Sequence, residues 1–395
     1  MSKESGRAAL TAVNISAAGS IGALRGPIVA GRYAHIDALR AFAVLLVVIA
    51  HTNIGGIPGG SGVTIFFTIS GFIITHILLR EKATTGTFSI RGFYWRRFLK
   101  LAPPFLVIIA IPTVVYSVWN PISWTAFAAQ ILFVFNWVEF LPISPVLILP
   151  GSSVLWSLAV EEQFYIVFAV LWLVIVRSQN ILGWLAGLGV VCAVGSLTLR
   201  IVYSLNGVSS ERIYGGTETR LDAIAIGILA AVIYSQFGKA NFGRLRVWLG
   251  HDSVPFIAVA FYLLSLVIRD EFFRDTIRYS IQSLATAAFI LYGLIPTNSL
   301  FRRFFTAAVS MRVIQIVGLS SYSMYLIHKP LMRLLEPTLD SWPTALRVGV
   351  LVAVGIGGGI LAWRIIERPV ERWKHRKPKS PAKFDRRGNT ASRSW

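Results

Sequence analysis

The sequence predicts an all-α integral membrane protein, built as a polytopic bundle of about ten transmembrane helices. Hydrophobic residues make up 55% of the 395 residues and charged residues only 14%, and the mean hydropathy is +0.65. A soluble domain of this length does not need so many apolar side chains to fill its core. Apolar segments long enough to cross a bilayer also recur along the chain. Lipid is therefore the expected solvent for most of this protein.

Ten apolar segments are candidate spans, because a spanning helix needs about 20 largely apolar residues. They centre on 35–54, 62–80, 101–119, 155–176, 181–204, 220–237, 254–269, 279–296, 313–335 and 346–366. Residues 122–140 form a further apolar segment, but counting it as a span would reverse the side of every later loop. Ten spans leave most of the 38 Lys and Arg in the cytoplasm, as the positive-inside rule requires. Residues 122–140 are expected to be re-entrant or interfacial at the outer face.

The two ends of the chain differ in composition from its apolar middle. Residues 1–32 are rich in Ala, Gly and Ser and lack an apolar run long enough for a signal peptide, which predicts a disordered cytoplasmic tail. Residues 368–395 are basic and contain prolines, which predicts a second disordered cytoplasmic tail that anionic lipid attracts. Residues 33–367 form one predicted transmembrane domain. The net charge of +20 is thus explained by loops and tails, without a nucleic-acid partner.

Ionisable side chains within the first span indicate a polar cleft, since such groups are costly in lipid and usually mark a function. Arg40 and His51 are eleven residues apart, which on a helix returns to within about 20° of the same direction, roughly 16 Å farther along the axis. Asp37 precedes Arg40 by three residues and is expected to form a structural pair with it. A neutral imidazole accepts a proton from a hydroxyl, so His51 is the predicted catalytic base. A histidine satisfied by packing is the alternative.

The fourth span brings a carboxylate to the predicted depth of His51. Glu161 and Tyr165 share one face at i and i+4, whereas Glu162 points about 100° away. Glu161 is expected to orient His51 or to stabilise its protonated form, and Tyr165 is a candidate for acceptor binding. The alternative is a glutamate that pairs with an arginine only to hold two helices together.

Two groups of polar residues at span ends are further candidates for acceptor binding. Tyr322, Tyr325 and His328 recur at threefold spacing on the ninth span, where they form one stripe. Interfacial anchoring explains that stripe equally well. Arg220 and Asp222 lie at the predicted outer mouth of the sixth span, either as an acceptor-binding pair or as a local ion pair.

A cluster of cations follows the second span, in a predicted inner loop closed by two prolines. Arg96, Arg97 and Lys100 are candidates for holding the phosphates of a nucleotide-linked donor. Topology alone also requires cations on a short inner loop, so both readings stay open. The single cysteine, Cys192, lies in an apolar segment, so neither a disulfide framework nor a cysteine-based metal site is expected, and no metal site is predicted.

Five motifs occur in order along the chain and together carry a family resemblance. They are Asp37-Ala-Leu-Arg40 with ten residues to His51, Gly62-Val with Phe66-Phe and Ser70-Gly-Phe72, Arg97 to Lys100 before Pro103, Trp156-Ser-Leu with Glu161 and Phe164-Tyr165, and Tyr322 through His328. With these motifs, residues 35 to about 370 resemble the integral-membrane acyltransferases of acyltransferase family 3, which modify surface polysaccharides, peptidoglycan and related glycans. Lys100 stands where the family usually has arginine, which removes bidentate phosphate geometry there.

The resemblance implies a ten-helix bundle in a bacterial inner membrane, with both termini cytoplasmic. It implies transfer of an acyl group, commonly acetyl, from cytoplasmic acyl-CoA to a hydroxyl of a glycan or glycolipid acceptor at the outer side. Arg40, His51 and Glu161 match the family's functional residues, and Arg97 and Lys100 match its donor-binding pair. Acyl-CoA is a donor substrate, and no permanently bound cofactor is expected.

Two questions stay open at this stage. His51 either deprotonates the acceptor hydroxyl for direct transfer or carries the acyl group itself. A secondary transporter is the alternative function, because it too would place Arg40, His51 and Glu161 in a membrane cavity.

Overall fold

The computed structural model describes residues 33–54, 59–139 and 147–376, and within these ranges the chain is helical with no strand. The helices are α1 (Ala34–Ala50), α2 (Gly59–Thr85), α3 (Ile90–Tyr116), α4 (Trp124–Ile131), α5 (Phe135–Val138), α6 (Leu155–Ile175), α7 (Ile181–Leu205), α8 (Ser210–Gly215), α9 (Thr217–Ser235), α10 (Gly243–Leu249), α11 (Ser253–Val267), α12 (Glu271–Asp275), α13 (Ile277–Leu294), α14 (Leu300–Val309), α15 (Arg312–Leu319), α16 (Ser321–Leu339), α17 (Thr344–Ala362) and α18 (Arg368–Arg376). The predicted all-α class is confirmed.

Five helical segments are long and apolar enough to cross a membrane, and they make the chain an integral membrane protein. They are Gly59–Thr85, Ile90–Tyr116, Ser152–Ile175, Ile181–Leu205 and Thr344–Trp373, and the bent pair Ala240–Leu249 and Ser253–Val267, at 65°, is a sixth candidate. Other predicted spans are helices that are shorter or more charged. Helix α1 has 17 residues, and α16 carries Lys329, Arg333 and Glu336. The count of about ten spans stays a prediction.

The apolar segment at 122–140 is not one spanning helix over its described part, which ends at residue 139. It forms α4 and α5, separated by Phe133 with a φ of 56°. Helix α4 has eight residues, and a helix of that length extends only about 12 Å, far less than the ~30 Å of a hydrocarbon core. Its predicted re-entrant or interfacial position stays a prediction.

The cationic segment before Pro103 is the first half of helix α3, rather than the predicted loop. Ser89 caps this helix, because its hydroxyl accepts a hydrogen bond from the Gly92 amide at 3.1 Å. Pro103 and Pro104 lie inside the helix and lack N–H donors, and a π-helical turn follows them at Leu106–Ala110. The cations before Pro103 therefore lie along one helix rather than in a flexible loop.

The C-terminal helix also continues beyond its predicted end. A π-helical turn at Trp363–Glu367 joins α17 to α18, which reaches Arg376 and so includes the first nine residues of the predicted disordered tail. Pro369 is tolerated because it lies in the first turn of α18, where a missing N–H breaks no helical hydrogen bond. Residues 377–395 and the predicted N-terminal tail at 1–32 lie outside the described residues.

Helices α2 and α9 pack with their backbones in contact at the centre of the bundle. A Cβ atom built on Gly71 would lie 2.0 Å from the Ile224 carbonyl oxygen, and one built on Gly227 would lie 2.2 Å from the Thr68 carbonyl oxygen. Only glycine permits this approach. In a bilayer, such close van der Waals packing at small residues drives the association of helices, because lipid provides no hydrophobic effect between them. Helix α9 also packs on α7 and α13, while α1 packs on α2, α15 and α16.

Candidate functional site

A first cavity of about 330 Å³, here called the basic cavity, lies among α1, α2, α3, α6 and α16. Its polar lining residues are Arg40, Ser70, Arg96, Arg97, Lys100, Ser157, Glu161, Tyr165, Ser321, Tyr322 and Tyr325. The structure thus brings together all three predicted donor-binding residues and two of the three predicted catalytic residues. Four of these side chains are cationic and one is a carboxylate, so the walls offer many charged N–H donors.

Three of the four cations are held by a carboxylate that lies outside the cavity lining. The pairs are Arg40 with Asp37 at 3.3 Å, Arg96 with Glu81 at 3.1 Å, and Arg97 with Glu162. The Arg97 guanidinium also lies 3.4 Å from the centroid of the Tyr165 ring. Because each guanidinium has five N–H donors, these pairs fix its orientation and leave donors free for a ligand. The predicted pairing of Asp37 with Arg40 is present.

Glu161 lies in the basic cavity and not beside His51, which corrects the predicted contact between them. Its carboxylate accepts a hydrogen bond from the Ser70 hydroxyl at 2.6 Å. The prediction placed both groups at one depth by counting turns from assumed span ends. Both helices begin within one residue of the predicted span starts, at Ala34 and Leu155, so the discrepancy comes from how the helices pack and not from where they begin.

A second cavity of about 380 Å³ contains His51 and is here called the histidine cavity. Its lining residues are Val47, Ala50, His51, Gly59, Gly60, Val63, Glu139, Ser153, Val154, Trp156, Glu211, Tyr214, Gly215, Tyr325 and Lys329. Burial raises the pKa of the Tyr214 hydroxyl, so this group stays protonated and able to donate. The cavity therefore combines aromatic rings, two carboxylates, an ammonium group and an imidazole.

Hydrogen bonds to its Nδ1 atom orient the His51 ring. This atom lies 2.9 Å from the Val47 carbonyl oxygen and 3.2 Å from Nε2 of His328. Nδ1 of His328 lies 3.1 Å from the Met324 carbonyl oxygen, which can only accept. The network therefore assigns the His328 proton to Nδ1 and the His51 proton to Nδ1, which leaves a lone pair on Nε2 of His51. That tautomer is the one a proton acceptor needs.

The two cavities meet at Tyr325 and Val63, which line both of them. The Tyr325 hydroxyl donates to the Val154 carbonyl oxygen at 2.9 Å and lies 2.6 Å from the Ser157 hydroxyl. The Tyr325 and His328 ring centroids are 5.8 Å apart. One side chain from α16 thus forms the partition between the cationic groups and the imidazole.

Arg220 and Asp222 line neither cavity, which corrects their predicted role in acceptor binding, and they do not form the alternative local pair. Both are fully buried. Asp222 pairs with Arg200 of α7 at 2.7 Å, while Arg220 donates to the Thr64 hydroxyl at 2.7 Å and lies 3.8 Å from the Tyr279 ring centroid. These contacts join α9 to its neighbours, because a buried charge must be paired where water is excluded.

The predicted acceptor stripe on α16 divides between the two cavities. Tyr322 lies in the basic cavity, where its hydroxyl donates to the Leu101 carbonyl oxygen at 3.0 Å. His328 is fully buried behind His51 and lines neither cavity. Tyr165 also lies in the basic cavity. Of the predicted acceptor-binding residues, only Tyr325 lines the histidine cavity.

Several polar residues of the histidine cavity escaped prediction from the sequence. They are Glu139, Ser153, Glu211, Tyr214 and Lys329. Lys329 carried a usable signal, because an ammonium group within a predicted span is costly. The other four lie in connecting segments, where a polar residue is ordinary. Among the described residues, no group of three or more His, Cys, Asp or Glu could hold a metal ion.

Comparisons with known proteins agree with this architecture. A family model described as an acyltransferase domain matches residues 33–364. The protein named O-acetyltransferase OatA from Staphylococcus aureus strain NCTC 8325 is 32% identical over 313 residues, which cover 75% of this chain and 50% of the relative. The protein of the same name from strain COL matches equally. The chain spans about half the length of the curated relatives it matches. No solved structure matches the chain significantly.

Proposed function

This chain belongs to the acyltransferase family, and from that membership we propose that it is a membrane O-acyltransferase. It takes an acyl group, acetyl in the simplest case, from cytoplasmic acyl-CoA and transfers it to a carbohydrate hydroxyl at the outer side of a bacterial inner membrane. In the proposed orientation both termini are cytoplasmic. The basic cavity then faces the donor, and the histidine cavity faces the acceptor.

The basic cavity suits an acyl-CoA donor because its walls present guanidinium and ammonium groups. Phosphate oxygens accept charge-assisted hydrogen bonds from such groups, and the planar guanidinium binds them bidentately. Arg97 and Lys100 lie one helical turn from each other on α3, so they follow a ligand along the helix. The thioester end of the donor would lie toward Tyr325, where the two cavities meet.

His51 is the proposed base. Its Nε2 accepts the proton of the acceptor hydroxyl while the hydroxyl oxygen attacks the thioester carbonyl carbon. The carbon–sulfur bond breaks, and the departing CoA thiolate receives the proton from the imidazolium. The other route, in which Nε2 first carries the acyl group, would leave acyl-His51 in protein quenched with donor alone. The observation that supports either route best is the Nε2 lone pair beside a cavity that adjoins the cationic one.

The test measures acyl transfer by the full chain reconstituted in lipid nanodiscs. Labelled acetyl-CoA is supplied with a neutral N-acetylhexosamine oligosaccharide, and the labelled sugar is counted. His51→Ala is expected to lower the initial rate by about 100-fold or more, which is the usual contribution of a general base. His251→Ala is the matched control, because His251 is exposed and lines neither cavity. Full activity of the His51 variant would remove this residue from the proposed mechanism.

A further inference from the structure

The wall of the histidine cavity combines two aromatic rings with hydrogen-bonding side chains. The Trp156 and Tyr214 ring centroids are 4.5 Å apart, with the ring planes at 53°. Trp156 belongs to α6 and Tyr214 to α8, so the pair closes one side of the cavity across two elements. Aromatic rings supply large apolar contact surfaces to ligands that are polar at their edges, such as the C–H face of a sugar ring.

The polar groups are arranged around this aromatic pair. The Lys329 ammonium donates to the Ser153 hydroxyl at 3.0 Å, which holds it at the cavity wall. Glu139 and Glu211 are exposed at the rim, and neither forms a salt bridge within the described residues. Carboxylates accept hydrogen bonds from hydroxyls, and an ammonium group donates to them. A cavity of about 380 Å³ is within the size range of small-molecule sites.

The charges at the rim favour uncharged ligands over anionic ones. Two carboxylates face the cavity against one ammonium group, while His51 is neutral in the assigned tautomer. Burial raises the pKa of Glu139 to about 7, so its negative charge is present above that pH, and binding is measured at pH 8. A ligand that brings its own carboxylate or phosphate meets like charge at the entrance, which costs binding free energy and slows encounter. The basic cavity shows the opposite character, with four cations in its lining and one carboxylate.

We propose that the histidine cavity is a carbohydrate site that selects an uncharged saccharide unit, with its ring against Trp156 and Tyr214, and rejects anionic saccharides through Glu139 and Glu211. This assignment rests on the proposed function for the identity of the acceptor. It adds the chemical class of that acceptor and names binding residues outside the predicted set.

The experiment measures binding without any donor, so it is independent of acyl transfer. The full chain in nanodiscs is titrated at low salt with a neutral N-acetylglucosamine trisaccharide and with a trisaccharide of the same length that contains glucuronic acid. The wild-type Kd for the anionic sugar is expected to exceed that for the neutral one by about five-fold or more. The difference should shrink at 0.5 M salt, because the rim carboxylates are exposed and screened.

Two variants separate charge selection from ring contact. The double variant Glu139→Gln with Glu211→Gln should bind both sugars with similar Kd, while Asp340→Asn, an exposed acidic residue outside the cavity, should keep the wild-type ratio. Tyr214→Leu should weaken both sugars by the same factor, about five-fold or more. Equal wild-type affinities, discrimination that survives in the double variant, or failure to bind the neutral sugar would each overturn the proposal. Loss of acyl transfer alone would instead count against the proposed function.

Discussion

His51 and His328 form a chain of hydrogen bonds that ends at carbonyl oxygens of their own helices. Each Nδ1 atom lies within reach of the carbonyl oxygen four residues earlier, and Nε2 of His328 lies against Nδ1 of His51. A buried imidazole that accepts from its neighbour fixes both the tautomer and the ring orientation of that neighbour. His328 is fully buried and lines neither cavity, so in the proposed mechanism it positions His51 without contacting a substrate.

Replacement of His328 tests this positioning role. His328→Phe removes one of the two acceptors of the His51 N–H and leaves only the Val47 carbonyl oxygen. The value of kcat is therefore expected to fall by about ten-fold or more, with little change in KM for acetyl-CoA or for the oligosaccharide. His328→Gln keeps a side-chain acceptor and should recover part of the rate. Initial rates of transfer across a pH series check the result, because a misoriented base changes the pH profile and a merely weakened fold does not. A His328→Phe variant with wild-type kcat and pH profile would contradict the role.

The first span shows how far residue spacing carries a prediction. The pairing of Asp37 with Arg40, three residues apart, is present, because one helical turn fixes their relative direction. The single cleft predicted for Arg40 and His51 is wrong, because Arg40 lines the basic cavity and His51, just after the end of α1, lines the histidine cavity. The contact of His51 with His328 instead joins positions 277 residues apart. Nothing local in the sequence specifies such a contact, which depends on how α1 packs on α16.

Close packing against α9 fixes the position of α2, a helix that lines the basic cavity. Ser70, next to Gly71 on α2, donates a hydrogen bond to Glu161 on α6. Two glycines on facing helices make this approach possible, and any side chain at either position must separate the backbones. Helix α2 therefore carries both the packing glycine and a residue that lines the basic cavity, Ser70.

Substitution of alanine for Gly71 tests this contact, and the same substitution at an unconstrained glycine of the bundle provides the control. Gly71→Ala places a methyl group 2.0 Å from the Ile224 carbonyl oxygen and is expected to lower stability by about 2 kcal/mol. Gly187→Ala is the matched control on α7, because its Cβ atom would have no neighbour within 4 Å. Alanine has a higher helix propensity than glycine, so the Gly187→Ala control should stabilise the protein slightly. Unfolding midpoints in detergent measure both changes, and equal shifts would contradict the packing argument.

Element boundaries were predicted less well than the elements themselves. All ten predicted spans contain helix, but the cations expected in an inner loop belong to α3, and α18 continues past the predicted end. Prolines were the signals for both boundaries. In the structure they are accommodated beside π-helical turns or in a first turn, where the missing N–H costs little. Local signals cannot anticipate that tertiary contacts allow such turns.

At the scale of the whole molecule, two adjoining cavities differ in the charges of their linings. Cations dominate the lining of one and carboxylates the rim of the other, with Tyr325 between them. The sequence pattern merged these groups into one cleft, because it assigned depth without knowing how α6 and α16 tilt and pack. Under the proposed function this division matters, since it gives two substrates of different charge separate sites for which they do not compete.

Two matched lysine substitutions test this division in kinetic terms. Lys100→Gln removes a cation from the basic cavity and is expected to raise KM for acetyl-CoA by about ten-fold while KM for the neutral oligosaccharide is unchanged. Lys329→Gln removes the ammonium group of the histidine cavity and should do the reverse. Lys82→Gln, in neither cavity, controls for loss of charge alone. If Lys100→Gln and Lys329→Gln raised the same KM, the two substrates would share one site, and the partition at Tyr325 would have no role in separating them.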